Sequence, residues 1–303
     1  MALGTVQFGL DYGVSNQAGK VILNEAKAIL KACEEFGIRS IDTALDYGDS
    51  EKVLGNIGVT NFLVTTKLSN LDTGNDSEIS QLVRNQVKQS FLNLNCQHLH
   101  AVLVHNSRNL LSPKGQIIWK SLEDLKTQVN ISKIGVSIYD PSELSNLEEL
   151  GIYPEVVQVP YNVFDQKIYQ SGWLQKLVDR GAEVHARSVF LQGLLLQEEK
   201  LRDRYFDRWS DKFNQFRYLF EKSGCTALEF SLKFALANPL FTKIIVGVQS
   251  VEQLQDIACV STQLDNKIKA CHLACDDLDL IRPQNWQLEN NTWKNENYSD
   301  CTS

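Results

Sequence analysis

Eight short apolar runs rich in β-branched residues, each followed by an amphipathic stretch of helical period, predict an α/β fold, a single (β/α)8 barrel of the TIM type. Two further observations agree. The chain has 303 residues with no linker dividing it, and about 250 residues is typical of such a barrel. The runs are near-continuously apolar, as strands buried on both faces are. The competing arrangement, a doubly wound open sheet, predicts a G-x-G-x-x-G fingerprint after the first strand, and "GTVQFGLDYG" lacks that spacing.

In chain order the strands are expected at "LGTVQF" near 3–8, "RSIDT" near 39–43, "NFLVTTK" near 61–67 and "LHAVLVH" near 99–105. The second half follows with "SKIGVS" near 132–137, "EVVQVP" near 155–160, "AEVHARS" near 182–188 and "KIIVGV" near 243–248. Strands alternating with helices must run parallel, with right-handed crossovers. Among the helices, "NEAKAILKACEEFG" opens with Asn24 as N-cap and closes at Gly37. "SEISQLVRNQVKQSFLNL" sets Ile79, Leu82, Val83, Val87, Phe91 and Leu94 along one stripe. "KGQIIWKSLEDLKTQ", "PSELSNLEELG" and "IYQSGWLQKLVDRG" follow the same rule. An extra helix over roughly 202–221 precedes "TALEFSLKFALANP", another starts after Ser250, and a last one spans about 264–280. The barrel is expected to occupy residues 1–287, and the polar, aperiodic residues 288–303 a loosely ordered tail.

Composition narrows the function. The net charge is −7 and no Lys/Arg run could track phosphates, so nucleic acid is not an expected partner. No stretch approaches the roughly 20 apolar residues of a membrane span. "MALGTVQFG" lacks the basic start and apolar segment of a signal peptide, and a cytoplasmic protein is expected. Seven cysteines are scattered through the chain. Cys271 and Cys275 are spaced by one helical turn, but no second pair or histidine completes a zinc set, and His272 points off that face. No metal is expected, and reduced thiols suit a cytoplasm.

Each strand ends in polar residues: Asp42, Lys67, His105 and Ser137 on the second to fifth, Gln158 with Asn162 beyond it on the sixth, Arg187 and Ser188 on the seventh, and Gly247 with Gln249 and Ser250 on the eighth. In a parallel barrel these ends share one face. Proximity to solvent explains any one of them, but not Asp, Lys and His in succession with Tyr47 in the loop after the second strand. A buried lysine is costly unless paired, and Asp42 and Lys67 on adjacent strand ends can pair. An unperturbed tyrosine has a pKa near 10. An ammonium within hydrogen-bond reach stabilises the phenolate and lowers that value. A neutral histidine nearby can donate to a carbonyl oxygen and orient it. Such a set reduces a carbonyl beside a hydride donor, and since no side chain supplies hydride, a cofactor must.

At these residues the sequence resembles the aldo-keto reductases. "LGTVQFGLDYG", with Gly4 and Thr5, is similar to that family's first strand, and "IDTALDYGDSEKVLG" to its D-T-A-x-x-Y-G-x-S-E-x-x-L-G signature. "VTTKL", "VLVHN", "IGVSIYDPSEL", "VVQVPYNVFD" and "GVQSVEQLQD" continue in order, so the resemblance covers about residues 2–260. It implies a (β/α)8 barrel holding NADPH, with NADH as the variant cofactor, and a small-molecule carbonyl or alcohol as substrate. It implies Tyr47 as general acid, completed by Asp42, Lys67 and His105. Ser137 and Gln158 would hold the nicotinamide carboxamide, and Gly247, Gln249, Ser250, Gln253 and Asp256 the adenine end. Asp46 is expected to be a turn residue.

Three positions depart from the family pattern. Ile138 stands where an asparagine is expected, removing one carboxamide contact. Gln249 replaces a frequent arginine, which weakens the preference for a 2′-phosphate. Arg187 replaces a tyrosine that stacks under the nicotinamide; it either stacks there itself, favouring the reduced cofactor, or turns to a carboxylate. "ARSVFLQGLLL" resembles a subgroup associated with sugars, and Tyr12, Asn106, Tyr139, Phe190 and Trp209 are candidate pocket residues. The alternatives are a cofactor-binding regulatory or redox-sensing barrel with little turnover, and a metal- or phosphate-dependent barrel lyase or isomerase. The second would need further carboxylate or histidine clusters at the strand ends.

Overall fold

In a computed structural model, eight parallel strands close into a barrel in sequence order. The structure describes residues 1–16, 18–71, 74–262, 268 and 270–289. The strands are β1 Ala2–Gly4, β2 Ser40–Asp42, β3 Leu63–Leu68, β4 Leu99–Val104, β5 Ile131–Ser137, β6 Val156–Pro160, β7 Glu183–Arg187 and β8 Lys243–Gly247. The ring closes where β1 pairs with β8, Gly4 facing Gly247. Around it stand α1 Leu23–Glu35, α2 Ser50–Ile57, α3 Asp76–Leu94, α4 Gly115–Gln128, α5 Pro141–Glu149, α6 Trp173–Asp179, α7 Ser210–Lys222, α8 Ala227–Leu236 and α9 Val251–Ser261. Among the described residues, no helix is long and apolar enough to cross a membrane.

The helix starts follow local chemistry. Asn75 caps α3, accepting from the backbone N–H groups of Ser77 and Glu78, while Glu78 accepts from the Asn75 N–H. Asp140 with Glu143, and Thr226 with Glu229, form the same reciprocal box at α5 and α8. Ser250 caps α9 through the Gln253 N–H. The stripe on α3 is buried at Ile79, Val83, Val87 and Leu94, with Leu82 and Phe91 packed at its margin. It meets a strand–helix core that includes Ile41, Val64, Val102, Val136 and Val184, all nearly inaccessible. Each such side chain contributes about 1.5–3 kcal/mol on burial.

A separate apolar cluster, Ala101, Leu103 and Val156, fills the middle of the barrel. Gly135 makes room for it. A Cβ at that position would lie 1.9 Å from the Val156 carbonyl oxygen and 2.8 Å from Leu103. Below this layer, toward the strand starts, Glu183 is ringed by His100 at 3.0 Å, His185 at 3.1 Å and Lys133 at 2.8 Å. The opposite end of the barrel holds the polar strand ends.

Four elements differ from expectation. The first strand stops at Gly4, and Val6–Gly9 form a helical turn, because the Thr5 N–H is drawn to the Asp42 carbonyl and the chain then turns over the barrel rim. Asn24 lies inside α1, which starts at Leu23 after an extended Ile22, with no side-chain cap. The extra helix before α8 begins at Ser210, after short 3-10 turns at Glu199–Leu201 and Arg204–Trp209. Of the expected last helix, residues 263–267 and 269 lie outside the described residues, and 271–281 form only the short turns Cys271–Leu273 and Leu278–Ile281. Between them, the Cys275 N–H donates to the Phe164 carbonyl oxygen, so Cys271 and Cys275 do not share a helix face. The expected tail falls outside the described residues from 290 onward, Cys301 included.

Candidate active site

β2 and β3 are neighbours, with Asp42 opposite Thr65. Lys67, two residues further along β3, therefore reaches Asp42 from the adjacent strand. Its Nζ donates to Asp42 Oδ2 at 2.6 Å and to the Thr43 carbonyl oxygen at 2.9 Å, and lies 3.4 Å from Tyr47 Oη. Lys67 is 1% exposed and Asp42 5% exposed, so the ion pair is sealed on every side but that of the phenol. Gln158 Nε2 donates to the other oxygen of Asp42. That bond settles the amide orientation, since a carboxylate only accepts. Gln158 Oε1 is left buried without a partner.

The loop carrying Tyr47 is held against β1 by residues that the sequence does not mark as functional. A Cβ on Gly9 would lie 1.6 Å from the Tyr47 carbonyl oxygen, so only glycine permits this approach. Gly48 turns the loop with φ of +54°. The Ser50 hydroxyl, wholly buried, lies 2.8 Å from the Thr5 carbonyl oxygen and 3.1 Å from Thr43 Oγ1. Glu51, 1% exposed, accepts from Thr66 Oγ1 at 2.6 Å and Asn93 Nδ2 at 2.9 Å, tying α2 to β3 and α3. The Ser-Glu pair after Tyr47 is thus an anchor, and its signal in the sequence was two polar residues at the start of an otherwise amphipathic helix.

His105 follows β4, and its ring meets that of Tyr47 edge to face, with centroids 5.6 Å apart. Its Nδ1 lies 3.2 Å from Ser69 Oγ and 3.6 Å from Asp46 Oδ2. Asp46 is therefore more than a turn residue, because the bend before Tyr47 aims its carboxylate at His105.

The electrostatics of the phenol differ from the sequence expectation. Burial raises the Tyr47 pKa, the Asp42 carboxylate adds to the rise, and the Arg187 charge opposes it. The ammonium within 3.4 Å does not reverse this, because Asp42 sits against that same ammonium and offsets its charge. Burial lowers the Lys67 pKa against the attraction of Asp42. Burial likewise lowers His105, outweighing its hydrogen bond to Asp46. For Asp46, burial acts upward, but bonds from His105 and Ser69 and the Lys67 charge hold the pKa below the ordinary carboxylate value.

Arg187, at the end of β7, reaches the segment that follows β5. Its guanidinium lies over the Tyr139 ring, 4.4 Å from the centroid. It donates to the Ile138 carbonyl oxygen at 2.9 Å, and its Nε lies 3.3 Å from Ser137 Oγ. Its Nη1 lies 3.3 Å from Ser188 Oγ, and Ser188 has a positive φ of 59°. Ile138, where the family pattern has an asparagine, offers no side-chain donor, and Arg187 takes its carbonyl oxygen.

A cavity of about 330 Å³ joins these groups. It runs from Asp42, Tyr47, Lys67 and His105, past Ser137, Arg187 and Ser188, to Gly4, Thr5, Gly247, Gln249 and Gln253. Tyr12, Tyr139 and Phe190 line it as expected. Five expected residues do not line it. Trp209 Nε1 donates to Asp277 Oδ2 at 2.9 Å in a packing contact, Asn106 caps the turn at Arg108, and Asp256 is exposed on α9. Gln158 sits behind Asp42, and Ser250 serves as the α9 cap. At the far end, the Gln249 N–H donates to Gln253 Oε1 at 2.8 Å. There the Glu25 carboxylate accepts from the Val251 N–H at 2.9 Å, at the first turn of α9.

Known proteins share this architecture. A solved aldo-keto reductase from Bacillus halodurans, in its holo form, superposes with a TM-score of 0.68 over 89% of this chain and 88% of its own, at 18% identity, a likeness of fold. A glyoxal reductase of Bacillus subtilis is 30% identical over 184 residues, which span 59% of this chain and 63% of that protein. A D-threo-aldose 1-dehydrogenase from a Pseudomonas species is 25% identical over 84% of this chain and 89% of its own length. Residues 1–270 match the model described as the aldo/keto reductase family, a span that takes in all eight strands and every residue around the cavity. By that match the chain belongs to the aldo/keto reductase family.

Proposed function

We propose that the protein is an NAD(P)H-dependent oxidoreductase that interconverts a small aldehyde or ketone and its alcohol. The observation that carries this reading is the Lys67 ammonium, 2.6 Å from Asp42 and 3.4 Å from the Tyr47 hydroxyl, at the floor of an open cavity. The bound nicotinamide supplies the hydride. Tyr47 Oη holds the proton that the reduced oxygen takes up, and its raised pKa keeps that proton in place near neutrality. Lys67 sits where it stabilises the phenolate left behind, and Asp42 keeps the lysine aimed. In oxidation the same proton returns to Tyr47.

The cavity fits the dinucleotide. The Ser137 hydroxyl on the cavity wall suits a carboxamide, and Gly4 and Gly247 on neighbouring strands form a wall without side chains. The family resemblance implies NADPH. Against that stands Glu25, a negative charge at the helix start assigned to the adenine end, so NADH belongs in the same assay. The relatives' names, a glyoxal reductase and an aldose dehydrogenase, support small aldehydes and hydroxylated sugars as the first substrates to try.

The test is consumption of NADPH and NADH with a panel of aldehydes. Tyr47→Phe is expected to lower kcat/KM by about 100-fold or more while cofactor affinity stays unchanged. No turnover across the panel, or a Tyr47→Phe variant within tenfold of the parent, would refute the proposal.

A further inference from the structure

Thr43 follows Asp42 at the end of β2, and each of its polar groups has a partner. Its N–H donates to the Thr65 carbonyl oxygen at 2.9 Å. Its carbonyl oxygen accepts from Lys67 Nζ at 2.9 Å. Its hydroxyl lies 3.1 Å from Ser50 Oγ. Thr5, Thr43 and Ser50 are all 0% exposed, so their hydroxyl protons are placed within the cluster. A carbonyl oxygen only accepts, and each hydroxyl carries one proton. Thr5 Oγ1 donates to the Asp42 carbonyl oxygen at 3.0 Å, beside the Thr5 N–H at 3.0 Å. Ser50 Oγ, 2.8 Å from the Thr5 carbonyl oxygen and 2.9 Å from Thr5 Oγ1, directs its proton to Thr5. It is left to accept, and Thr43 donates to it. The hydroxyl chain therefore runs one way, from Thr43 through Ser50 to Thr5 and on to the Asp42 carbonyl.

An ammonium has three N–H groups. Lys67 has three acceptors: Asp42 Oδ2 at 2.6 Å, the Thr43 carbonyl oxygen at 2.9 Å and Tyr47 Oη at 3.4 Å. The two short bonds fix rotation about Cε–Nζ, so the third N–H points at the phenol. With the Asp42 bond alone the ammonium turns about a single contact, and the longest bond is the first to go. We propose that Thr5, Thr43 and Ser50 are positioning residues for the reaction: their buried hydroxyl chain presents the Thr43 carbonyl to Lys67 and so aims the remaining ammonium proton at Tyr47. The use of that aim rests on the oxidoreductase reading above. When Tyr47 gives up its proton, charge appears on Oη, and an N–H already directed there stabilises it without reorientation.

The test pairs a spectrum with kinetics. In full-length protein carrying 15N-lysine, the Lys67 ammonium is expected to give a 1H–15N cross-peak at pH 7, where exposed lysine ammonium protons exchange too fast to be seen. Its assignment is the peak missing from Lys67→Met. Thr43→Val is expected to weaken or erase the peak and to lower kcat about tenfold per cofactor-binding site, with KM and cofactor affinity within about twofold of the parent. Ser50→Ala is expected to act in the same direction; should it fold poorly, Thr43→Val, which keeps the side-chain shape, carries the comparison. Thr43→Ser restores the hydroxyl and is expected to hold kcat within about threefold of the parent. A chain that only braces the fold would lower Tm and leave both the cross-peak and kcat per binding site in place, and that result overturns the proposal. So does a wild type without the cross-peak, or a Thr43→Ser variant as impaired as Thr43→Val. A visible ammonium in a protein that turns over no aldehyde upholds the aim of Lys67, but refutes the reductase reading and the positioning role with it.

Discussion

Replacing Lys67 by methionine separates the structural role of the Asp42–Lys67 pair from its chemical role. Methionine fills much of the lysine stem but leaves Asp42, 5% exposed, without the ammonium at 2.6 Å. Breaking one partner of a buried pair costs about 3–5 kcal/mol. In a chain of this size about 1 kcal/mol moves Tm by roughly 2–4 °C, so Lys67→Met should melt on the order of 10 °C lower. Adding Asp42→Leu removes the stranded carboxylate. What remains is the lost donor to the Thr43 carbonyl and the lost acceptor for Gln158 Nε2, a penalty of about 1–3 kcal/mol. The double variant should therefore melt higher than the single one, while both lose reductase activity by about 100-fold or more. Scanning calorimetry with a parallel aldehyde assay measures both quantities. A single variant as stable as the parent, or a double variant less stable than the single, would refute the view that the pair is a sealed ion pair. Activity retained in either would refute the role given to the ammonium.

Other perturbations address the frame, the cofactor and pH. Gly9→Ala is expected to cost roughly 1–3 kcal/mol by pushing on the Tyr47 carbonyl, and to lower kcat/KM by on the order of 100-fold through misplacement of the phenol. Gly37→Ala is the control: its φ of +71° makes it strained, but nothing stands near its side chain, so Tm should drop with activity kept. Glu25→Gln should shift the ratio of NADPH to NADH affinity toward NADPH by about fivefold, read from dissociation constants by fluorescence; an unmoved ratio removes Glu25 from cofactor choice. Hydrogen bonds from His100 and His185 hold Glu183 well below the usual carboxylate pKa. Its contribution to stability is then fully present above the unfolded value, about 4.3, and is lost as pH falls below it. Tm measured from pH 6 to pH 3.5 should fall more steeply in the parent than in Glu183→Gln, and parallel curves would count against this role.

The barrel was legible because its signal is repeated. Eight β-branched runs, with helical stretches between, leave little freedom once crossovers must be right-handed. Lys67 was legible for a different reason: a lysine ending an apolar run demands a partner, and Asp42 on the neighbouring strand was the nearest carboxylate. The elements misread in the sequence were set by contacts too distant to show in a local window. Val6–Gly9 reads as strand, but folds into a turn because Gly9 must pass against the Tyr47 carbonyl and Thr5 must reach Asp42. Cys271–Ile281 reads as helix, but its chain is committed elsewhere. The Cys275 N–H goes to Phe164, the Ala270 carbonyl accepts from Gln166, and the Asp277 side chain accepts from Trp209.

The acidity of Tyr47 shows most clearly where sequence reasoning stops. An ammonium beside a phenol lowers its pKa when the two act alone. Here a carboxylate lies closer to the ammonium than the phenol does, 2.6 Å against 3.4 Å, and burial penalises the phenolate further. Burial, with the Asp42 charge second to it, decides the sign, and no residue spacing contains either. The same applies to Asp46. As a residue before a glycine-bearing loop it looks like a turn former. Only the folded chain shows its carboxylate 3.6 Å from His105 Nδ1, the nitrogen that Ser69 Oγ also approaches. The residue types named the chemistry, a proton donor, a cation and an imidazole. The proton affinities, which decide how such a set works, follow from burial and from partners one bond further out.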